Sequence, residues 1–296
     1  MAKIPSDSVD QLGIIIPAYN EAATIARVVR DSMKISKSVC VINDGSTDET
    51  AQLALEAGAT VINNPGKCGQ GASLLSGITY LARHGCKHVA SVDGDGAHCV
   101  GDLPKMLSIH ATQSAQLTLG SRLLHWDART FPSSKAAANQ LASSMLNLLF
   151  GTEVSDPACG IRIYDTIFTE FKQASADFSF AFDTLLWAHE RKLKIAEAAV
   201  RVRYDAREAF FTSKQEILDF LNLCSRRLGR ANEACDSVDF VQAAVESDKR
   251  FLLICSGYEF ALLPIPTHHA YLVQQQHRWF MRARPNGTGR FLVEFF

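Results

Sequence analysis

The 296-residue chain lacks the features by which secreted, membrane-spanning and nucleic-acid-binding proteins are recognised. It has no apolar run of the ~18 residues that a transmembrane helix needs, and the polar segment Met1–Gln11 has no signal-peptide hydrophobic region. None of the eight cysteines forms a C-x-x-C pair, which argues against a zinc ribbon or a dithiol redox site. A formal net charge of −1 provides no overall positive field for nucleic acid. We therefore predict a cytoplasmic protein with reduced cysteines, which contacts a membrane peripherally or not at all.

What the chain does have is a regular alternation of short apolar runs and helical segments. Runs at residues 12–16, 38–42, 59–62 and 115–119, and one that begins at Val89, are predicted to be buried strands. Helices are predicted at 22–32, 48–57, 71–85 and 102–113. This alternation is typical of right-handed β-α-β units, so we predict an α/β fold with a mostly parallel sheet flanked by helices. Ligands of such sheets bind beyond the carboxyl ends of the strands.

Two carboxylates follow the apolar run that begins at Val89. Asp93 and Asp95 are set among glycines, and Gly94 and Gly96 allow the backbone to turn so that both carboxylates face one site. Paired oxygen ligands at a strand end suit Mg²⁺ or Mn²⁺, with a substrate phosphate completing the coordination. The alternative is an ordinary turn rich in aspartate and glycine.

The sequence pattern changes after about residue 232, where the alternation of strands and helices gives way to closely spaced apolar runs. Apolar runs at 251–255, 260–265, 270–273 and 290–296 indicate a short β-rich tail with antiparallel strands. We therefore predict one domain over residues 1–231 and a C-terminal extension over 232–296.

Six motifs in order resemble those of the family 2 inverting glycosyltransferases of the GT-A fold, in particular the dolichyl- and polyprenyl-phosphate hexose synthases. The resemblance covers roughly residues 12–215. Its motifs are Ile16-Pro-Ala-Tyr-Asn-Glu21, Asn43-Asp-Gly-Ser-Thr-Asp48, Gly66-Lys-Cys-Gly-Gln-Gly71, Asp93-Gly-Asp95, Gly120-Ser-Arg122, and Asp156 through Arg162. It implies a Rossmann-like GT-A sheet and a nucleotide-sugar donor, a UDP- or GDP-hexose.

The resemblance also implies a donor site. In it Glu21 accepts ribose hydroxyls, Asp44 accepts a hydrogen bond from the base, and Lys67 meets the phosphates. The full set expected to line the donor is Pro17, Ala18, Tyr19, Asn20, Glu21, Asn43, Asp44, Lys67, Asp93 and Gly94. Helix caps at 17–21 and 43–48, and a solvated lysine, remain the structural alternatives.

The family pattern makes Asp95 the principal metal ligand, with Asp93 beside it and facing the donor sugar or ribose. The family often has glutamine where Ala97 stands here, and alanine cannot reach the metal. Water or His98 must then fill that position, and we favour water, because a lone histidine is more often structural.

Two acceptors fit the remaining residues. A polyprenyl phosphate is already ionised and needs cations, for which Arg122, Lys135, Arg203 and Lys214 are the candidates. A sugar hydroxyl needs a base, for which Asp183 is the candidate. Arg122 and Asp183 are thus the predicted catalytic residues, although Asp183 is equally explained as a carboxylate favoured by a helix N-terminus.

We predict a metal-dependent inverting hexosyltransferase that acts on polyprenyl phosphate. The alternative acceptor is a sugar hydroxyl of a glycan or glycolipid, and a catalytically degenerate nucleotide-sugar binding protein is a third possibility. The amphipathic segment 215–230 ends in arginines and is expected either to pack on the core or to lie on an anionic membrane.

Overall fold

The computed structural model describes residues 11–125, 151–172 and 180–203. It also describes scattered residues within 139–150 and 220–227, and the backbone of six strands between 238 and 295. The chain divides into two compact units, Met1–Asn139 with Val154–Ala209, and Gln140–Glu153 with Phe210–Phe296. The boundary at residue 231 stays a prediction.

The first unit contains a seven-stranded sheet in the order β3-β2-β1-β4-β6-β5-β7. Strand β6 runs antiparallel to its neighbours β4 and β5, and the other pairings of this sheet are parallel. The mostly parallel sheet is therefore confirmed. Its strands are β1 Leu12–Ala18, β2 Ser38–Asn43, β3 Thr60–Asn63, β4 His88–Ser91, β5 Leu117–Ser121, β6 Arg162–Asp165 and β7 Ile195–Ala199.

Five described helices flank these strands. They are α1 Ile25–Met33, α2 Thr50–Glu56, α3 Gln70–Arg83, α4 Leu103–Thr112 and α5 Phe180–Glu190. Every residue of β1 is buried, as its continuous apolar run predicts. Helix α3 packs closely on this strand, because a Cβ at Gly77 would lie 2.5 Å from Ile15 Cγ2.

Most predicted elements are present with shifted ends. Helix α1 begins three residues later than predicted, because residues 21–24 form a separate turn in which Glu21 O accepts hydrogen bonds from Thr24 N (3.0 Å) and Ile25 N (2.9 Å). Strand β1 also continues two residues further than its apolar run. The predicted segment 215–230 is described only at four helical residues, so its proposed membrane role stays a prediction.

The hydrophobic core on one side of the sheet joins β1 to two helices. Ile14 and Ile16 of β1 pack in one buried cluster with Val28 of α1 and with Leu103 and Met106 of α4. The six described cysteines are free thiols. Among the described residues no helix is both long enough and apolar enough to cross a bilayer.

The second unit holds a six-stranded sheet whose neighbouring strands are all antiparallel and consecutive in sequence. The antiparallel β-rich tail is therefore confirmed. Two of its strands, at residues 238–245 and 280–285, contain more polar residues and were not predicted, because they lack a continuous apolar run. The strands are β8 Val238–Val245, β9 Asp248–Cys255, β10 Tyr258–Pro264, β11 Ala270–Val273, β12 Phe280–Pro285 and β13 Phe291–Phe295.

Candidate functional site

The turn that carries the two predicted metal ligands lies against the segment that follows β1. Thr24 Oγ1 donates a 2.7 Å hydrogen bond to the carbonyl of Gly94. A Cβ at Gly94 would lie 3.1 Å from the carbonyl oxygen of Pro17 and 3.4 Å from the Cβ of Ala18. Because β1 and β4 are parallel neighbours, their carboxyl ends bring these two segments to one edge of the sheet.

The segments that follow β1 and β2 are joined by hydrogen bonds between side chains and backbone. Asn20 adopts a positive φ of 58°, and its amide oxygen accepts a 2.8 Å bond from Thr47 N. Asn20 N donates to Ser46 Oγ at 3.0 Å, and Glu21 N donates to Thr50 Oγ1 at 2.7 Å. The predicted residues Asn20 and Glu21 are therefore held by the loop that contains Asn43 and Asp44.

Carboxylates concentrate where these loops meet. Burial raises the pKa of Glu21, and the nearby charges of Asp95, Asp93 and Asp48 raise it further. Asp95 Oδ1 also accepts a 2.8 Å bond from Ala97 N, which fixes that side chain. A set of oxygen ligands with mutual repulsion fits a hard divalent cation, because Mg²⁺ and Mn²⁺ prefer carboxylates and their charge removes the repulsion.

Asp93 is anchored from two sides. Its Oδ2 lies 3.0 Å from Nδ1 of the buried His98, and its Oδ1 accepts a 3.1 Å bond from Gln70 Nε2. A Cβ at Gly160 would overlap this carboxylate, so only glycine allows the approach. Burial lowers the pKa of His98, but Cys159 and Asp93 raise it to about 10 overall. Nε2 of His98 lies 3.5 Å from Cys159 Sγ, whereas Nδ1 lies within ion-pair distance of Asp93 but makes no hydrogen bond among the described residues.

Asp44 organises the glycine-rich loop. Its Oδ1 accepts bonds from Asn64 Nδ2 (2.7 Å) and Cys68 N (2.8 Å), and its Oδ2 accepts one from Gly69 N (2.9 Å). Burial raises the pKa of Asp44, but these hydrogen bonds outweigh it and the net pKa is lowered. The side chain of the neighbouring Asn43 is also bonded within the protein: its Nδ2 donates to Asn63 Oδ1, and its Oδ1 accepts from Ser46 N.

This loop places Lys67 over an aromatic ring. Lys67 Nζ lies 4.1 Å from the centroid of the Tyr19 ring, within the range of a cation–π contact. Lys67 is exposed, and Tyr19 is 40% exposed. An accessible positive charge and an aromatic surface therefore stand beside the segment that follows β1.

Arg122 is paired inside the protein. Its Nε and Nη2 each donate a 2.7 Å bond to the carboxylate of Asp156, and its backbone N donates a third bond at 2.8 Å. Both side chains are buried, and such a two-pronged pair is strong and directional. Burial raises the pKa of Asp93, but His98 and, to a smaller extent, the charge of Arg122 lower it, and the net pKa is lowered.

The other acceptor-side residues are placed unevenly. Asp183 lies in the first turn of α5 with 1% of its surface exposed. Arg203 is exposed, and its backbone N donates a 2.8 Å bond to Ala97 O, next to the metal-ligand turn. Lys135 and Lys214 lie outside the described residues.

Several residues that support this site had no predicted role. Gln70 and Asp156 stand inside quoted motifs, yet nothing in their local sequence indicates that they bond to Asp93 and Arg122. Thr24 and Asn64 stand outside the motifs. Their partners are 70 and 20 residues away along the chain, so no local pattern points to them.

The family model of Glycosyl transferase family 2 matches residues 13–166. The low-salt glycan biosynthesis hexosyltransferase Agl6 of Haloferax volcanii is 30% identical over 207 residues, 66% of this chain and 48% of that protein. Polyprenol monophosphomannose synthase of Mycolicibacterium smegmatis is 29% identical over 160 residues, 51% of this chain and 60% of that protein. The matches span roughly half of these two relatives.

Solved structures share the fold. A glucosyl-3-phosphoglycerate synthase from Mycobacterium tuberculosis, in complex with Mn²⁺, UDP and phosphoglyceric acid, is similar with a TM-score of 0.60 at 17% identity. The likeness covers 78% of this chain and 83% of that one. At this identity it shows the GT-A fold alone.

The hydrogen bonds to Asp44 lead to a first prediction. In Asp44→Asn we expect the amide hydrogens of Cys68 and Gly69 to exchange about 10- to 100-fold faster at pH 7, because bonds to a charged acceptor are lost. Because the pKa of Asp44 is lowered, the stabilisation of the loop by its carboxylate is fully present at pH values above the ordinary aspartate pKa. It is lost as the pH falls through the lowered pKa.

Asp31→Asn is the matched control, since Asp31 pairs only with the exposed Lys34 among the described hydrogen bonds. Its exchange pattern at Cys68 and Gly69 should equal that of the wild type. Unchanged exchange in Asp44→Asn would contradict the role of Asp44 as organiser of this loop.

Proposed function

The chain belongs to glycosyl transferase family 2, and from that premise we propose that it transfers a hexose from UDP-hexose or GDP-hexose to polyprenyl phosphate with inversion. The observation that carries the proposal is the meeting of the Asp93–Asp95 turn with the loops after β1 and β2. It brings carboxylates, an aromatic ring and a lysine to one edge of the sheet, which is where a nucleotide diphosphate would be held.

In this proposal the donor lies along the loops after β1 and β2. Tyr19 offers a ring for the base, Glu21 accepts ribose hydroxyls, and Lys67 reaches the diphosphate from the loop that Asp44 holds. The preformed hydrogen bonds between these loops support a site that needs little ordering on binding, which favours affinity.

Asp95 and Asp93 would hold Mg²⁺ or Mn²⁺ here. When bound, such an ion supplies Lewis-acid neutralisation of the departing diphosphate. In the proposal His98 supports Asp93 through their 3.0 Å ion pair and is not itself assigned as a metal ligand. The repulsion that Asp93 and Asp95 exert on Glu21 supports the same assignment.

The proposed reaction is a single displacement at the anomeric carbon of the donor sugar. An acceptor oxygen forms a bond to the anomeric carbon as the bond from that carbon to the diphosphate breaks, and the nucleoside diphosphate leaves with the electron pair. A phosphate acceptor is already ionised, so no proton has to be removed. The burial of Asp183 supports this route, since a base must reach the proton that it abstracts.

The names of several relatives also support a lipid-phosphate acceptor. They include an undecaprenyl-phosphate mannosyltransferase of Micrococcus luteus and a dolichyl-phosphate β-glucosyltransferase of Trichomonas vaginalis. In the proposal Arg203, Lys135 and Lys214 supply positive charge to the acceptor phosphate. Arg122 acts from its pair with Asp156, through its charge near Asp93. Peripheral contact with the membrane that holds the lipid belongs to the same proposal.

The metal assignment predicts the behaviour of Asp95→Ala. Calorimetry of UDP and GDP binding, with and without Mn²⁺, should show that Mn²⁺ strengthens binding to the wild type and has little effect on the variant. The fold should survive, because Asp95 is exposed and is not part of the core. Glu56→Ala removes an exposed carboxylate at the end of α2 and should behave as the wild type. Equal Mn²⁺ dependence in Asp95→Ala and the wild type would overturn the assignment.

The acceptor is tested by following radiolabelled hexose from UDP- and GDP-hexoses into polyprenyl phosphate or into a glycan. We expect label in the lipid phosphate, and we expect Asp183→Asn to keep its rate within about tenfold. Glu190→Gln, an exposed carboxylate on the same helix, is the control. Label in the glycan alone, with a loss of about 10²–10⁴ in kcat for Asp183→Asn, would establish the hydroxyl acceptor instead.

A further inference from the structure

Two histidines and an aspartate converge at the end of β4 remote from the Asp93–Asp95 turn. His88 is the first residue of β4, and Asp165, the last residue of β6, is its direct partner across the antiparallel pair. His110 reaches the same point from helix α4. Asp165 Oδ1 lies 2.6 Å from His88 Nδ1 and 3.0 Å from His110 Nε2.

The three candidate ligand atoms are close together but are at hydrogen-bond distances, shorter than the spacing around a zinc ion. They all lie within 4.8 Å of one another. Zinc bonds of about 2.0–2.2 Å in tetrahedral geometry place neighbouring ligand atoms about 3.3 Å apart. A separation of that size requires Asp165 Oδ1 to move back from the two nitrogens by a fraction of an ångström.

The surroundings of His110 orient one nitrogen toward the other two groups. His110 is 1% exposed, and its Nδ1 lies 2.8 Å from the hydroxyl of Thr118, a fully buried residue of β5. A hydroxyl can accept from a protonated Nδ1, which leaves the lone pair of Nε2 free to face a cation. Metal-bound histidines are held through their second nitrogen in just this manner.

One side of the cluster is open. The side chains of His88 and Asp165 are 22% and 26% exposed, whereas that of His110 is buried. Three protein ligands and a water-accessible fourth position are the pattern of an open zinc site. Two imidazole nitrogens select zinc or a similar transition metal over Mg²⁺, which prefers oxygen ligands.

We propose that His88, His110 and Asp165 form a second metal site, which takes Zn²⁺ or a similar borderline cation and is separate from the carboxylate site at the other end of β4. An ion held there would tie β4, β6 and α4 together. The competing description is a hydrogen-bonded trio in which Asp165 accepts from both rings without a metal.

Zinc titration of the full chain tests the proposal. After removal of metals with a chelator, Zn²⁺ is titrated by calorimetry in the presence of excess Mg²⁺, which occupies the carboxylate site. We expect His88→Asn and Asp165→Asn each to weaken one zinc site by at least about 100-fold, because even outer partners of a metal site contribute about 10–100-fold. His84→Asn is the matched control, since His84 is exposed, precedes β4 by four residues, and its ring bonds only to Tyr80 O among the described hydrogen bonds. Absence of zinc binding by the wild type, or unchanged affinity in both variants, overturns the proposal.

X-ray absorption at the zinc edge of the wild type gives an answer that does not depend on variants. Nitrogen and oxygen neighbours at about 2.0–2.2 Å support the site. Sulfur neighbours at about 2.3 Å would assign the zinc to cysteines and would contradict it.

Discussion

Repulsion among carboxylates is the constraint around which this site is built. Glu21 lies near Asp93 and Asp95 at the edge of the sheet, and both burial and the charges of these two residues raise the pKa of Glu21. Like charges in such proximity are stable only if other groups offset them. On the protein side His98 and, at longer range, Arg122 and Arg162 oppose the charge of Asp93. In the proposed function a divalent cation would complete the compensation, and a diphosphate would then be a favourable partner.

The scaffold that holds these groups consists largely of side-chain bonds to backbone. Thr24 fixes the turn of Gly94, Asp44 fixes the loop of Lys67, and Asn20 joins the first two loops. Several residues that the motif pattern assigned to ligand contacts are thus also structural. For Asn43 and Asp44 the predicted donor role is compatible with the observed structural role, because a preformed loop is what presents Lys67 and Tyr19.

Local sequence patterns predicted the features that depend on neighbouring residues in the chain. The apolar runs that became β1, β2 and β4, and the convergence of their carboxyl ends, follow from burial and from the geometry of parallel strands. The antiparallel direction of β6 was not predictable, because the strand 162–165 is short and its direction is set by pairing with β4 and β5. Long-range pairs were equally hidden: Arg122 and Asp156 are 34 residues apart, and His88 and Asp165 are 77 apart. The order of the motifs was enough to identify the family, but it did not indicate which residues of different motifs contact one another.

The most direct test of the account is a crystal structure of the full chain grown with Mn²⁺ and UDP or GDP, measured at the manganese absorption edge. The account predicts an anomalous peak bonded to Asp95 and lying beside Asp93, with the diphosphate oxygens on its other side. A nucleotide bound at this edge with no manganese at Asp95, or manganese found only elsewhere in the molecule, would contradict it.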